Sequence, residues 1–161
     1  METVWQRSPN MQPLKWPVDW SKLTPWQKVL VDAPFIGVRH RVFKDIITQM
    51  QQRTEDSSAF WNQFSPAELD IEQKISKIAV QEFGWPNSHF LPSDPFEIIM
   101  WDGTGDLATA AALDRIEKEF GLRRRSDSEW QELASHAFGY VVQKIASERA
   151  QEKPAAKQHS R

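Results

Sequence analysis

Three helix-start signals constrain the fold of this chain more strongly than any other feature of its sequence. Thr24, Ser65 and Ser126 each stand three positions before a glutamine or a glutamate. In such a capping box the hydroxyl accepts a hydrogen bond from a backbone N–H of the first turn, and the glutamine or glutamate side chain bonds back. Pro25 and Pro66 occupy the first helical position, where proline is favoured. The sequence therefore predicts helices that begin at these three residues.

Apolar residues recur every three or four positions along most of the chain, which is the spacing of one helix face. The pattern predicts helices over 24–34, 35–53, 65–84 and 106–121, and a long last helix that begins at 126. The residues expected to face the core are Ile36, Phe43, Ile46, Ile47 and Met50; Ile71, Ile75, Ile78 and Phe83; Leu107, Ala110, Leu113, Ile116 and Phe120; and Trp130, Leu133, Ala137, Val141 and Ile145. The short apolar segment 96–100 is either a strand or one buried turn.

The predicted fold class is all-α, because no strand-period pattern of any length occurs. Residues 1–64 are expected to form an N-terminal arm rich in Trp and Pro, followed by two extra helices. Residues 65–150 are expected to form a small antiparallel helical bundle, and 151–161 a disordered tail. Four of the eight tryptophans lie in the first 26 residues, and their large rings are expected to pin the arm onto the rest of the protein. These four are Trp5, Trp16, Trp20 and Trp26.

Composition excludes several classes of protein. The chain has no cysteine, so it holds no disulfide and no thiolate metal site, which fits a reducing compartment. The net charge of −2 argues against a general nucleic-acid binder. No apolar run reaches the length that spans a membrane, and the first residues lack the apolar core of a signal peptide. We expect a soluble, cytoplasmic protein.

The turn at residues 102–106, Asp-Gly-Thr-Gly-Asp, invites three chemical interpretations. A calcium loop would need Gly and Glu where Leu107 and Leu113 stand. A phosphatase nucleophile would fall on Met100, which cannot attack phosphorus. A phosphate-binding loop would need a Lys-Ser/Thr pair after the glycines. We therefore interpret the turn as the entry to a helix that Asp106 caps. The four histidines are scattered, and no metal site is predicted.

Residues 70–147 contain four segments in a characteristic order: IEQKISKIAVQEFG, WPNSHFLPSDPFEII, GDLATAAALDRIEKEFGL and EWQELASHAFGYVVQKI. In this order they resemble the first helix, the long loop, the second helix with its Glu-Phe-Gly ending and the last helix of an acyl carrier protein. The resemblance implies a small antiparallel bundle. It also implies that Leu107 matches the leucine of the carrier Asp-Ser-Leu motif.

The resemblance departs from the family at the residue that carries the prosthetic group. Asp106 stands where carriers have the serine that bears phosphopantetheine, and an aspartate cannot accept that phosphodiester. The resemblance therefore implies a carrier-like fold without a cofactor. The surface around this position is the expected interface, and its candidate residues are Trp101, Asp106, Leu107, Asp114 and Arg115.

From these residues we expect a non-catalytic, carrier-like helical protein that binds a protein partner. Three alternatives stay open. The chain is a genuine acyl or peptidyl carrier if Thr104 or Ser93 is the attachment residue. It is a membrane-surface or lipid-binding protein if the Trp-rich arm and the apolar, basic stretch 29–44 contact lipid. It is an enzyme if Asp102 and Asp106 hold a metal.

Overall fold

The computed structural model describes residues 11–29, 31, 37–101 and 106–157. Within these residues the chain is all-helical, as predicted, and its only β pairing is an isolated bridge between Pro95 and Ala137. The seven α-helices of the described part are α1 (Pro25–Val29), α2 (Val38–Gln51), α3 (Pro66–Phe83), α4 (Phe96–Ile99), α5 (Asp106–Phe120), α6 (Asp127–Ala134) and α7 (Phe138–Lys157). Two short 3-10 helices, Trp20–Lys22 and Ser58–Trp61, precede α1 and α3.

The three predicted capping boxes are all present. At α3, the Ser65 hydroxyl accepts a hydrogen bond from the Glu68 N–H, and the Glu68 carboxylate accepts one from the Ser65 N–H. Ser126 and Glu129 make the same reciprocal pair at α6, and Thr24 and Gln27 do so at α1. These bonds satisfy backbone N–H groups that no helical carbonyl reaches, which is why the three helices begin where they do.

The core is one cluster of buried side chains, to which both halves of the chain contribute. α3 packs against α5 and α7, and α2 adds the buried face of Val38, Val42, Ile46 and Met50. Leu14 from the arm and Trp61 from the second 3-10 helix are buried in the same cluster. The segment 96–100 proves to be a buried helical turn, α4, and not a strand.

The predicted core face of α5 is wrong at its start. Leu107 and Ala110 are exposed, whereas Ala112, Ile116 and Phe120 are buried. Ala108 is partly buried and packs on the core, so the inward face runs 108, 112, 116, 120. The observed and the predicted core faces share Ile116 and Phe120. Near the helix start most residues are alanines, whose similar hydrophobicity does not show which side of the helix faces the core.

The predicted long last helix is two helices. α6 ends at Ala134 and α7 begins at Phe138, and Ala137 between them is exposed and not part of the core. The loop before α4 causes the break. The backbone N–H groups of Phe138 and Gly139 each donate to a carbonyl of this loop, Asp94 O and Pro92 O, both at 2.8 Å. The loop thus supplies the hydrogen bonds that the first turn of α7 lacks.

Because Gly139 has no side chain, the loop before α4 can lie close to α7 at this position. A Cβ atom built on Gly139 would lie 3.0 Å from Phe64 Cζ and 3.0 Å from Pro92 Cβ. We expect Gly139→Ala to destabilise the protein by about 1 to 3 kcal/mol, the usual effect of overpacking, as measured by urea unfolding. The control Ser147→Ala lies on an exposed position of α7 and is expected to change stability by less than about 0.5 kcal/mol. Equal stabilities of the two variants would show that the loop does not press on Gly139.

The arm is held by aromatic contacts, as predicted for two of its tryptophans. Trp16, Trp20 and Trp101 form an edge-to-face cluster with ring centroids 5.0 to 6.0 Å apart, and Phe43 of α2 lies 6.5 Å from Trp101. Trp16 Nε1 also donates to the Glu97 carboxylate at 2.9 Å. Trp26 departs from the prediction, since it is 76% exposed. Trp5 lies outside the described residues.

A buried ion pair also holds the arm. The Arg53 guanidinium donates to both oxygens of Asp94 at 2.7 Å, and both side chains are almost wholly buried. Asp94 also accepts the backbone N–H of Leu14 at 2.9 Å, and Arg53 donates to the carbonyl of Gln12 at 2.7 Å. One pair therefore joins the arm, the end of α2 and the loop before α4.

Both glycine stops are confirmed. Gly84 and Gly121 follow α3 and α5 with φ of 69° and 61°, the left-handed conformation that glycine adopts most easily. At the other end of the chain, α7 continues to Lys157 and so runs well into the segment for which a disordered tail was expected.

Candidate functional site

Two of the predicted interface residues lie together on the solvent side of α5. Leu107 is 89% exposed, and Asp114, seven residues further on and so on the same helix face, is also exposed. Asp114 pairs with Lys118 one turn later at 2.7 Å. Asp106, which was predicted to cap α5, is instead its first helical residue.

The other two predicted interface residues are engaged within the protein. The Arg115 guanidinium pairs with Glu82 and donates to the Gln81 side chain, so it joins α5 to α3. Trp101 belongs to the aromatic cluster of the arm. Of the predicted interface residues, Leu107 and Asp114 are therefore exposed on α5, whereas Arg115 and Trp101 contact other parts of the protein.

The glycine turn that precedes α5 lies mostly outside the described residues, at 102–105, and the possible attachment residue Thr104 and the possible metal ligand Asp102 are among them. The other proposed attachment residue, Ser93, is exposed in the loop before α4. Thr109 is engaged, since its hydroxyl donates to Met100 O at 2.7 Å and so holds the start of α5 to the end of α4. Within the described part of the chain, no three acidic or histidine side chains gather as they would around a metal ion.

A groove of about 640 Å³ runs along α3 where the segment 56–62 and the loop at 88–89 face it. Its walls are apolar at Trp61, Leu69 and Val80. Its ionisable side chains are Asp56, Glu72, Lys77 and His89. We call this feature the α3 groove. Its volume lies within the range of about 300 to 1,000 Å³ that is usual for small-ligand sites.

Glu72 is the unusual side chain of the α3 groove. It is only 9% exposed, and its Oε1 accepts a hydrogen bond from the Ser76 hydroxyl at 2.8 Å. Burial raises the pKa of Glu72 because the carboxylate loses hydration; the Ser76 hydrogen bond opposes this rise, and the negative charge of Asp56 adds to it. A carboxyl group with a raised pKa in a groove is a feature of functional sites.

His89 also lines the α3 groove. Its Nδ1 lies 3.0 Å from the carbonyl oxygen of Arg53. Since a carbonyl only accepts, Nδ1 carries a proton and donates to this oxygen. Among the described residues no hydrogen bond joins His89 to Ser76, whose hydroxyl is directed to Glu72. These contacts do not form a nucleophile with its base.

Sequence reasoning missed Glu72, although a signal for it existed. Glu72 and Ser76 are one turn apart on α3, directly beside the core residues Ile71 and Ile75. A glutamate next to the apolar stripe of a helix, with a hydroxyl four residues later, is a candidate for a buried hydrogen-bonded carboxylate. Its partners across the groove, Asp56 and His89, come from distant parts of the sequence and leave no local pattern.

Glu72 is expected to cost stability at neutral pH. The pKa of Glu72 is higher in the folded protein than its ordinary value of 4.5, so the folded state favours the protonated carboxyl. The protein therefore loses stability as the pH rises from about the ordinary pKa through the higher pKa of the folded state. We therefore expect Glu72→Gln, which keeps an acceptor for Ser76, to be more stable than the wild type at pH 7.5 and similar to it at pH 4. Urea unfolding at both pH values measures this.

The control for the Glu72 variant is Asp70→Asn, which removes an exposed carboxylate from the same helix. It deletes a surface pair with Lys74 and is expected to cost less than about 1 kcal/mol at pH 7.5. A wild type more stable than Glu72→Gln at pH 7.5 would contradict the account of a desolvated carboxylate.

A second cluster of charges joins the end of α5 to α6 and α7. Arg123 bonds the Glu129 carboxylate and lowers its pKa to about 2. Arg125 pairs with Glu148 of α7 and lies over the Trp130 ring, 4.9 Å from its centroid. Among the described residues, Arg125 Nη1 is the one buried side-chain polar atom without a hydrogen bond. The Trp130 ring face below the guanidinium gives it a favourable cation–π contact.

Comparison with known proteins gives no relative: no protein-family model, no curated protein and no solved structure matches this chain. In the part of the chain that the structure describes, no helix is both long enough and apolar enough to cross a membrane. The exposed side of α5 and the α3 groove are the two candidate binding surfaces of the described structure.

Proposed function

We propose that this chain is a non-catalytic, carrier-like helical protein that binds a protein partner. The binding surface is the exposed side of α5, which we call the α5 face and define as Leu107, Ala110, Ala111, Asp114 and Lys118. One observation carries the proposal: Leu107, at the start of a helix whose other large apolar side chains pack inward, is 89% exposed.

The exposed leucine has an energetic meaning. Burying a leucine side chain contributes about 1.5 to 3 kcal/mol, and Leu107 forgoes most of this in the isolated chain. A partner that covers Leu107 recovers it. Ala110 and Ala111 beside it have short side chains, so a partner can approach the helix closely at this point.

The charges of the α5 face suit a partner with an apolar centre and a polar rim. Asp114 and Lys118 neutralise each other at 2.7 Å, which leaves no net charge from this pair. Interfaces are depleted in charged residues at their core and polar at their edge. Leu107 with its two alanines corresponds to such a core, and the Asp114–Lys118 pair to the rim.

The resemblance to acyl carrier proteins supports the same surface. In that resemblance Asp106 replaces the serine that bears phosphopantetheine, and Leu107 follows it as in the carrier motif. We propose that the carrier-like helix is used here for protein recognition without the attached group, and that the expected absence of catalysis and cofactor follows from this replacement.

Photo-crosslinking from position 107 tests the proposal. A benzophenone amino acid replaces Leu107 in one variant and Gln131, exposed on α6, in the control variant. After irradiation in cells of the natural source, we expect a defined protein adduct with the first variant and not with the control. Thermal unfolding checks that both variants fold. Equal adduct formation from both positions, or none from position 107, would contradict the proposal.

A second candidate function is favoured by α1. Trp26 and Val29 are 76% and 74% exposed, and they lie three residues apart, on the same side of this short helix. Lys22 and Lys28 are exposed beside them. Exposed aromatic and apolar side chains flanked by lysines suit an anionic membrane surface.

Vesicle flotation separates this second function from the first. If it is correct, the protein floats with vesicles that contain phosphatidylserine, and Trp26→Ser abolishes this. A protein that stays in the dense fraction with these vesicles, as with pure phosphatidylcholine vesicles, does not bind membranes through α1.

A further inference from the structure

We infer that the α3 groove binds a ligand through an organic cation, either an alkylammonium or a guanidinium group, with the Glu72 carboxylate as the group that recognises it. This site is separate from the α5 face, and the inference does not depend on the proposed function.

Glu72 has one carboxylate oxygen that is open to the α3 groove. Its Oε1 accepts the Ser76 hydroxyl, whereas Oε2 has no donor among the described residues. Oε2 is also not among the fully buried unpaired atoms of the described chain, since that set contains only Arg125 Nη1. Oε2 is therefore accessible from the groove that Glu72 lines. A buried carboxylate with one open oxygen gains most from a donor that carries positive charge.

The other ionisable side chains that line the α3 groove are Asp56, Lys77 and His89. Asp56 lines the same groove, and one of its oxygens already accepts the Ser58 N–H at 3.0 Å. Lys77 is the only lysine or arginine among the lining residues. The two carboxylates of the groove therefore outnumber its one cation, and within the described residues no ion pair joins that lysine to Glu72 or Asp56.

The α3 groove suits an organic cation better than an anion or a metal ion. The two carboxylates repel an anion. A metal ion needs several ligands at one point, and within the described residues no three acidic or histidine side chains meet that condition. Trp61, Leu69 and Val80 give the groove an apolar wall, which fits the carbon chain of an alkylammonium or alkylguanidinium.

The experiment titrates the full chain with butylguanidinium, butylammonium and the neutral isostere butylurea, and follows backbone amide chemical shifts. We expect both cations to shift the amides of Ser58, Glu72 and Ser76, and butylurea to bind at least about tenfold more weakly, since a charge-assisted hydrogen bond is lost. Glu72→Gln is expected to weaken binding of both cations about tenfold. The control Asp70→Asn, on the same helix outside the groove, is expected to leave affinity unchanged.

Two further probes distinguish the source of the cation. Agmatine represents a free small molecule, and the peptide acetyl-Gly-Arg-Gly-amide represents a basic side chain of a protein; binding of either one through Glu72 supports the inference and identifies its source. The inference is overturned if no probe shifts the groove amides, if butylurea binds as well as the cations, or if Glu72→Gln binds them with wild-type affinity. Because Glu72→Gln is expected to be folded and stable, a lost signal reports binding and not unfolding.

Discussion

Arg53→Met is expected to destabilise the protein by about 3 to 5 kcal/mol, because it leaves the Asp94 carboxylate buried without its countercharge. Both oxygens of Asp94 lose a charge-assisted hydrogen bond from Arg53, and the carbonyls of Gln12 and His89 lose a donor. Methionine retains much of the side-chain volume, so the loss reports the ion pair more than the packing. Urea unfolding at pH 7.5 gives the free energy of unfolding.

The matched control for Arg53→Met is an exposed ion pair. Lys118→Ala removes the Asp114–Lys118 contact on α5, which is expected to cost less than about 1 kcal/mol. We also expect Arg53→Met to release the arm, because residues 12 and 14 bond directly to the pair; hydrogen exchange of the Leu14 amide measures this release. An Arg53→Met protein as stable as the Lys118→Ala control would contradict the role of the pair.

Phe138→Ala is expected to cost about 3 to 5 kcal/mol, the usual loss for a large buried aromatic ring. The Phe138 ring lies 5.2 Å from Trp61, 6.2 Å from Phe90 and 6.0 Å from Phe96, measured between centroids. Phe138 therefore links the start of α7 to three other segments: the second 3-10 helix, the loop before α4, and α4. Urea unfolding measures the loss.

Phe138→Leu is the control for the ring itself, since it keeps an apolar side chain of similar reach. It is expected to cost about 1 to 2 kcal/mol, because a change of shape in a packed core is partly accommodated. If Phe138→Ala lost less stability than Phe138→Leu, Phe138 would not be the centre of this aromatic group.

Local signals explain why most of the fold could be predicted. The capping boxes at Thr24, Ser65 and Ser126 depend on residues only three positions apart, and so do not need the rest of the protein. Gly84 and Gly121 likewise act on their own backbone. All five features appear in the structure where the sequence placed them.

Features that depend on distant residues could not be predicted in this way. The apolar spacing from Trp130 to Ile145 is continuous, yet the helix breaks because carbonyls of Pro92 and Asp94 bond the start of α7. The Arg53–Asp94 pair joins residues 41 positions apart. Neither the break nor the pair has a signature in the residues next to it.

The two candidate sites also differ in how far the sequence indicated them. The resemblance to carriers indicated the start of α5, and the structure adds that Leu107 is exposed there, against the apolar spacing that had placed it inward. The α3 groove was missed, because its walls at 56–62 and 88–89 are distant in sequence from α3, although Glu72 and Ser76 left a local signal on that helix.

If the carrier-like helix is used without a prosthetic group, as we propose, the protein carries no phosphopantetheine. The intact mass of the protein isolated from its natural source is compared with its mass after incubation with coenzyme A and a phosphopantetheinyl transferase. We predict the unmodified mass of the chain in both samples, because Asp106 stands at the attachment position. A phosphopantetheinyl group on either sample would contradict the claim and would identify a genuine carrier, with Ser93 and Thr104 the first residues to examine for the attachment.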